Sequence, residues 1–66
     1  MNKQTISVKE AADYMGVSKD LVYQLVRESK VPHLRLSRRI LFRKEALNKW
    51  LTAKEALSVQ QNDKNY

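Results

Sequence analysis

Little in this chain is equipped for covalent or metal chemistry. It has one histidine, His33, and no cysteine. A cluster of histidine ligands, a thiolate metal site and a disulfide are therefore excluded. Five serines are scattered at positions 7, 18, 29, 37 and 58. Their neighbours suit helix caps and turns better than a nucleophile. Glu10 and Asp13 stand three apart and could share acid–base work, but Glu10 already has a capping role (below). There is no glycine-rich phosphate loop, since Gly16 is the only glycine. A chain of 66 residues has little room for a pocket that excludes water. We therefore expect a protein that is not an enzyme and that uses no cofactor and no metal.

The chemistry that is available is cation to anion. The net charge is +6, and its location says more than its size. Residues 1–17 carry Lys3, Lys9, Glu10 and Asp13 and are neutral as a segment. Residues 18–30 carry Lys19, Asp20, Arg27, Glu28 and Lys30, a surplus of one. Residues 31–44 hold Arg35, Arg38, Arg39, Arg43 and Lys44 with no acid, a surplus of five. Residues 45–66 are again neutral. One or two basic residues on an exposed strand commonly guard against aggregation. Four arginines without a balancing acid fit a polyanion better, through phosphate or minor-groove contacts.

These side chains need a scaffold, and the stretch from Ala12 to Arg27 supplies it. Val8, Ala11, Ala12 and Met15 fall at i, i+3, i+4 and i+7, one apolar face of a first helix over 8–15. Leu21, Val22, Leu25 and Val26 form a second stripe, on a helix over 19–29. Ser7 and Glu10 make an S-x-x-E capping box at the start of the first helix, and Ile6 before it can pack on Ala11. Ala12 is small where two helices must cross. Gly16 stops the first helix in a left-handed conformation. Val17 can fold into the crevice between the helices, and Ser18 caps the second. This is a helix-turn-helix pattern, whose second helix commonly enters the major groove of DNA. Its polar face carries Lys19, Asp20, Tyr23, Gln24 and Arg27, side chains suited to phosphates and base edges. The competing interpretation is a helical hairpin in a small bundle, with that face merely solvated.

Val31-Pro32 ends the helical region, because proline disfavours the helical state of the residue before it. His33-Leu34-Arg35-Leu36 alternates polar and apolar, the period of a half-buried strand, and Ile40-Leu41-Phe42 is a second β-type run. With Ser37-Arg38-Arg39 between them, the two form a β-hairpin with a basic tip, a wing beside the helices. Its turn lacks Gly, Asn and Asp, so its type is not readable. Thr5-Ile6 can add a short strand to this hairpin. Lys44 to Leu57 reads as a third helix, with Leu47, Trp50, Leu51 and Leu57 as its stripe. Trp50 is expected to close the core rather than to stack on a base, and Tyr14 to be half core with a polar tip. We assign residues 1–57 to one domain and residues 58–66, polar and aperiodic, to a disordered tail. Residues 1–10 lack the apolar region of a signal peptide, and no apolar run reaches bilayer length. The fold expected is mainly α with a small β component: three helices, with a two-stranded wing between the second and third.

Taken together, these residues resemble the excisionase-type helix-turn-helix family, relatives of the MerR-like winged helix. The similarity runs over residues 5–51. It comprises the capping Ser7, Glu10-Ala11-Ala12, Gly16-Val17-Ser18, Val22-Tyr23-x-Leu25-Val26, Val31-Pro32, Arg38-Arg39 and the run from Phe42 to Leu51. The family often has glycine in the hairpin turn where this chain has Ser37. The resemblance implies a sequence-specific binder of double-stranded DNA from a bacterial mobile element, acting in the cytoplasm. Such proteins bend DNA near recombination sites and assist an integrase in excision. Close relatives instead regulate transcription of phage or plasmid genes. Carried over by position, Lys19, Tyr23, Gln24 and Arg27 face the major groove, with Ser18 on a phosphate. Arg35, Arg38, Arg39 and Arg43 grip the backbone or the adjacent minor groove. No heptad repeat supports a coiled coil, so we expect a monomer that gathers in several copies on DNA. A protein partner is a separate option: an acidic surface for the wing, or an integrase for the tail. RNA is a weaker one, because the wing lacks interleaved aromatics other than Phe42.

Overall fold

A computed structural model describes residues 5–61. The element order is β1 (Ile6–Ser7), α1 (Val8–Met15), α2 (Lys19–Arg27), β2 (Leu34–Leu36), β3 (Arg39–Phe42) and α3 (Lys44–Gln61). Three helices with a hairpin between the second and third make a winged helix-turn-helix, as the periodicities predict.

Local chemistry sets each helix boundary. Ser7 is extended, at φ −82° and ψ 175°. Its Oγ accepts from the Glu10 N–H at 3.1 Å, while Glu10 Oε1 accepts from the Ser7 N–H at 2.9 Å. The capping box is therefore complete. At the other end, the Val17 N–H donates to the Ala12 carbonyl at 3.0 Å and the Gly16 N–H to that of Asp13 at 3.2 Å. These are the paired bonds of a Schellman end, with Gly16 left-handed at φ 73°. A Cβ on Gly16 would meet nothing within 4 Å. The backbone angle, not crowding, is what calls for glycine there.

Ser18 caps α2 by accepting from the Leu21 N–H at 3.1 Å. The helix stops at Arg27, two residues short of the expected Ser29. The reason is a second Schellman end. Ser29 takes φ 55°, its N–H donates to Val26, and the Lys30 N–H reaches the Leu25 carbonyl at 2.8 Å. A serine here does what glycine does after α1, at a steric cost of roughly 1 kcal/mol.

The sheet has the order β1-β3-β2, antiparallel throughout. Ile6 pairs with Phe42 and Ser7 with Leu41, so the expected N-terminal strand exists, one residue later than Thr5-Ile6. Across the hairpin, Leu34 pairs with Leu41, Arg35 with Ile40 and Leu36 with Arg39. The turn is thus the two residues Ser37-Arg38. Arg39, expected in the turn, belongs to β3, and His33, expected in a strand, precedes β2. Ser37 has φ 57° and Arg38 does not have a positive φ, which is the sign pattern of a type II′ turn.

The core is small. Val8, Ala11 and Ala12 of α1 meet Val22 and Val26 of α2, with Ile6, Val31, Phe42 and Leu47 closing it. The two alanines allow the helices to approach. Phe42 and Leu47 are fully buried, and each contributes about 1.5–3 kcal/mol by leaving water. Met15, Leu25, Ile40 and Trp50 pack on its margin, so Trp50 is an anchor of the core. Some stripe residues stay outside. Leu21 and Val17 are exposed, as are Leu51 and Leu57. β2 is exposed along its length rather than half-buried. It is an edge strand, and Leu34 and Leu36 alternate away from the face that Phe42 and Ile40 turn to the core.

α3 is joined to α1 by polar contacts as well as by Leu47. The Tyr14 hydroxyl donates to Asn48 Oδ1 at 2.6 Å, and Lys44 Nζ lies 5.5 Å from the Tyr14 ring centroid. The ring is partly exposed, so Tyr14 has the expected polar tip. α3 continues to Gln61, four residues past the expected Leu57. The remainder of the tail, residues 62–66, lies outside the described residues.

Candidate nucleic-acid interface

α2 has one buried side, Val22 and Val26. A helix anchored along one stripe must turn its other positions outward. Lys19, Tyr23, Gln24 and Arg27 are all exposed as a result. The wing is positioned by the same core. Phe42 fixes the root of β3, and Ile40, two residues on and facing the same way, packs at the core margin. The tip residues Arg38 and Arg39 are carried out beyond it.

Between these elements lies an open groove of about 390 Å³. Lys19 and Tyr23 of α2 form one wall, and Arg38, Arg39 and Ile40 of the wing another. Ser7, Val8 and Lys9, where α1 begins, complete it. α2 and the wing thus share one side of the molecule. Among the described residues, no ion pair engages Lys9, Lys19, Arg38 or Arg39, and the first-turn acids Glu10 and Asp20 are absent from the lining.

The other sequence-derived candidates do not line this groove. Ser18 Oγ accepts from the Leu21 N–H as the helix cap, which leaves its hydroxyl proton able to donate. Gln24 Nε2 donates to Glu28 Oε2 at 3.3 Å, one turn along α2. That bond leads the influences holding the Glu28 carboxyl below the usual carboxylate range, followed by Lys30, whose Nζ is 3.4 Å away. Arg27 is in the last turn of α2. Arg35, opposite Ile40, shares that residue's face of the hairpin. Arg43 lies beyond β3, where its carbonyl accepts from the Leu47 N–H and its guanidinium pairs with Glu45 at 3.6 Å. It belongs to the start of α3 rather than to the wing tip.

Lys9 is the basic residue that the sequence reading passed over. Summing charge over residues 1–17 cancelled it against Glu10 and Asp13. The usable signal was its place off the apolar stripe of the first helix, immediately after the cap.

A family model described as a helix-turn-helix domain matches residues 5–55. The chain belongs to the excisionase-type helix-turn-helix family. No curated protein and no solved structure matches it. Membership in this family implies DNA binding. Among the described residues of this helix-turn-helix protein, no group of three or more His, Cys, Asp or Glu is placed to hold a metal ion. No described helix is long and apolar enough to cross a membrane.

Proposed function

We propose that this helix-turn-helix protein binds duplex DNA sequence-specifically as an excisionase. α2 lies in the major groove, where Tyr23, Gln24 and Arg27 read base edges and Lys19 and Ser18 meet phosphate. Arg35, Arg38 and Arg39 of the wing hold the backbone and the adjacent minor groove, with Arg43 a peripheral contact. The observation that carries this reading is the groove in which Lys19 and Tyr23 of α2 face Arg38 and Arg39 of the wing. A helix in the major groove and a hairpin in the minor groove straddle one strand of backbone, so their cations must face a common space. The role in recombination is carried over from the resemblance to excisionases: a monomer that collects on repeated sites, bends them and assists an integrase in excising a mobile element.

The test is selection of bound duplexes from a random pool, a bend assay on the winning site, and an excision assay with the integrase encoded nearest the gene. The expected result is a defined site, a bend and stimulated excision. Promoter repression with no effect on excision would make the protein a transcription regulator using the same surface. Failure to enrich any duplex would remove the DNA reading altogether.

A further inference from the structure

The groove described above has a third contributor that helix and wing alone do not require. Lys9 stands in the first turn of α1, and Ser7 and Val8 beside it also line the space. Four cations, Lys9, Lys19, Arg38 and Arg39, thus converge from three separate elements. Basic residues around one open groove make its potential positive, which favours an anion there. α1 and α2 both present N-terminal turns nearby, which adds partial positive charge.

We propose that this groove seats one backbone phosphodiester of duplex DNA, and that Lys9 is a direct DNA contact. The inference rests on the DNA-binding reading above and extends it to α1. The anchoring explains why Lys9 suits the role. The capping box fixes the backbone on either side of it, and Val8 is buried beneath. A phosphate held there is gripped from α1, α2 and the wing at once, which sets the register of α2 in the major groove.

The experiment measures duplex affinity against salt for the whole chain and for Lys9→Gln, Lys9→Arg and Lys49→Gln, on a site selected from a random pool. Lys49 is exposed on α3 and does not line the groove. Lys9→Gln is expected to lower the log–log slope by about 0.9 and the affinity by about eightfold at 0.1 M salt, the release of one phosphate's counterions. Lys9→Arg should keep the slope, and Lys49→Gln should leave it unchanged. A scan of single methylphosphonates along the site identifies the seat. At one position the neutral linkage should make the wild type and Lys9→Gln bind alike.

An unaltered slope for Lys9→Gln beside a steep wild-type slope overturns the seat while leaving DNA binding intact. So does an equal loss for Lys49→Gln, or a scan with no equalising position. Inorganic phosphate that binds the wild type but not Lys9→Gln, without displacing DNA at matched ionic strength, would reassign the groove to free phosphate. A flat wild-type slope would sink the DNA reading itself.

Discussion

Replacing both wing-tip arginines, Arg38→Gln with Arg39→Gln, isolates the electrostatic part of binding. Lys9, Lys19, Arg35, Arg38 and Arg39, the cations assigned above to the backbone, have no ion pair among the described residues, whereas Arg43 is paired with Glu45. About five neutralised phosphates give a slope of roughly −4.5 in log affinity against log salt. Raising salt from about 50 to 200 mM should then weaken the wild type by about 500-fold. Removing two contacts leaves a slope of roughly −2.7 and a loss of about 40-fold over the same interval. Both side chains are exposed and neither packs in the core, so the fold should be unaffected, checked by a thermal melt. Fluorescence anisotropy with labelled duplexes, one of selected and one of scrambled sequence, supplies the affinities. The loss should be similar on both, because phosphates carry no sequence. An unchanged slope, or a loss confined to the selected sequence, would refute the assignment of the wing tip to the backbone.

Three further outcomes follow from particular contacts. Gln24→Ala should relax preference at one or two base pairs by about 1–3 kcal/mol, read by repeating the pool selection; an equal loss on every sequence would contradict a base-reading role. Ser29→Gly and Ser37→Gly should each stabilise the fold by about 0.5–1 kcal/mol by relieving a positive φ, raising the melting temperature by a few degrees; a fall in either would mean that the serine side chain matters more than the backbone angle. Glu28 has its carboxyl pKa held below the ordinary value, first by Gln24 and then by Lys30, so its contribution to stability is present at neutral pH and is lost as pH falls through the folded-state value. Glu28→Gln should therefore flatten the acid limb of a stability–pH curve, and an unaltered limb would show that those contacts are not populated in solution.

How much of this was legible in the sequence depended on whether a feature was local. The capping box, the Ser18 cap and the left-handed Gly16 each involve residues within five positions of one another, and each forms as its residue types dictate. The end of α2 was missed because Ser29 adopts a conformation for which glycine or asparagine is the usual marker. The hairpin turn was opaque for the same reason, since Ser37 takes a positive φ. Periodicity identified the faces of α1 and α2 but over-assigned burial. A core of nine buried side chains among the described residues cannot cover Leu21, Val17 and the outer leucines of β2 as well. α3 runs past Leu57 because nothing in Ser58-Val59-Gln60-Gln61 terminates a helix. At the interface, Lys19, Tyr23, Arg38 and Arg39 were legible as a set. Lys9 was not, because a segment's net charge is blind to which side of a helix each charge occupies.

Ser7 closes β1 against Leu41 and caps α1 in the same breath. The basic flap is therefore no loose arm swinging from the body. It works as a lever whose fulcrum is the residue that opens α1, so a tug on its tip loads that helix's first turn. Hydrogen exchange should show β3 and the start of α1 opening as one unit, with a single opening energy.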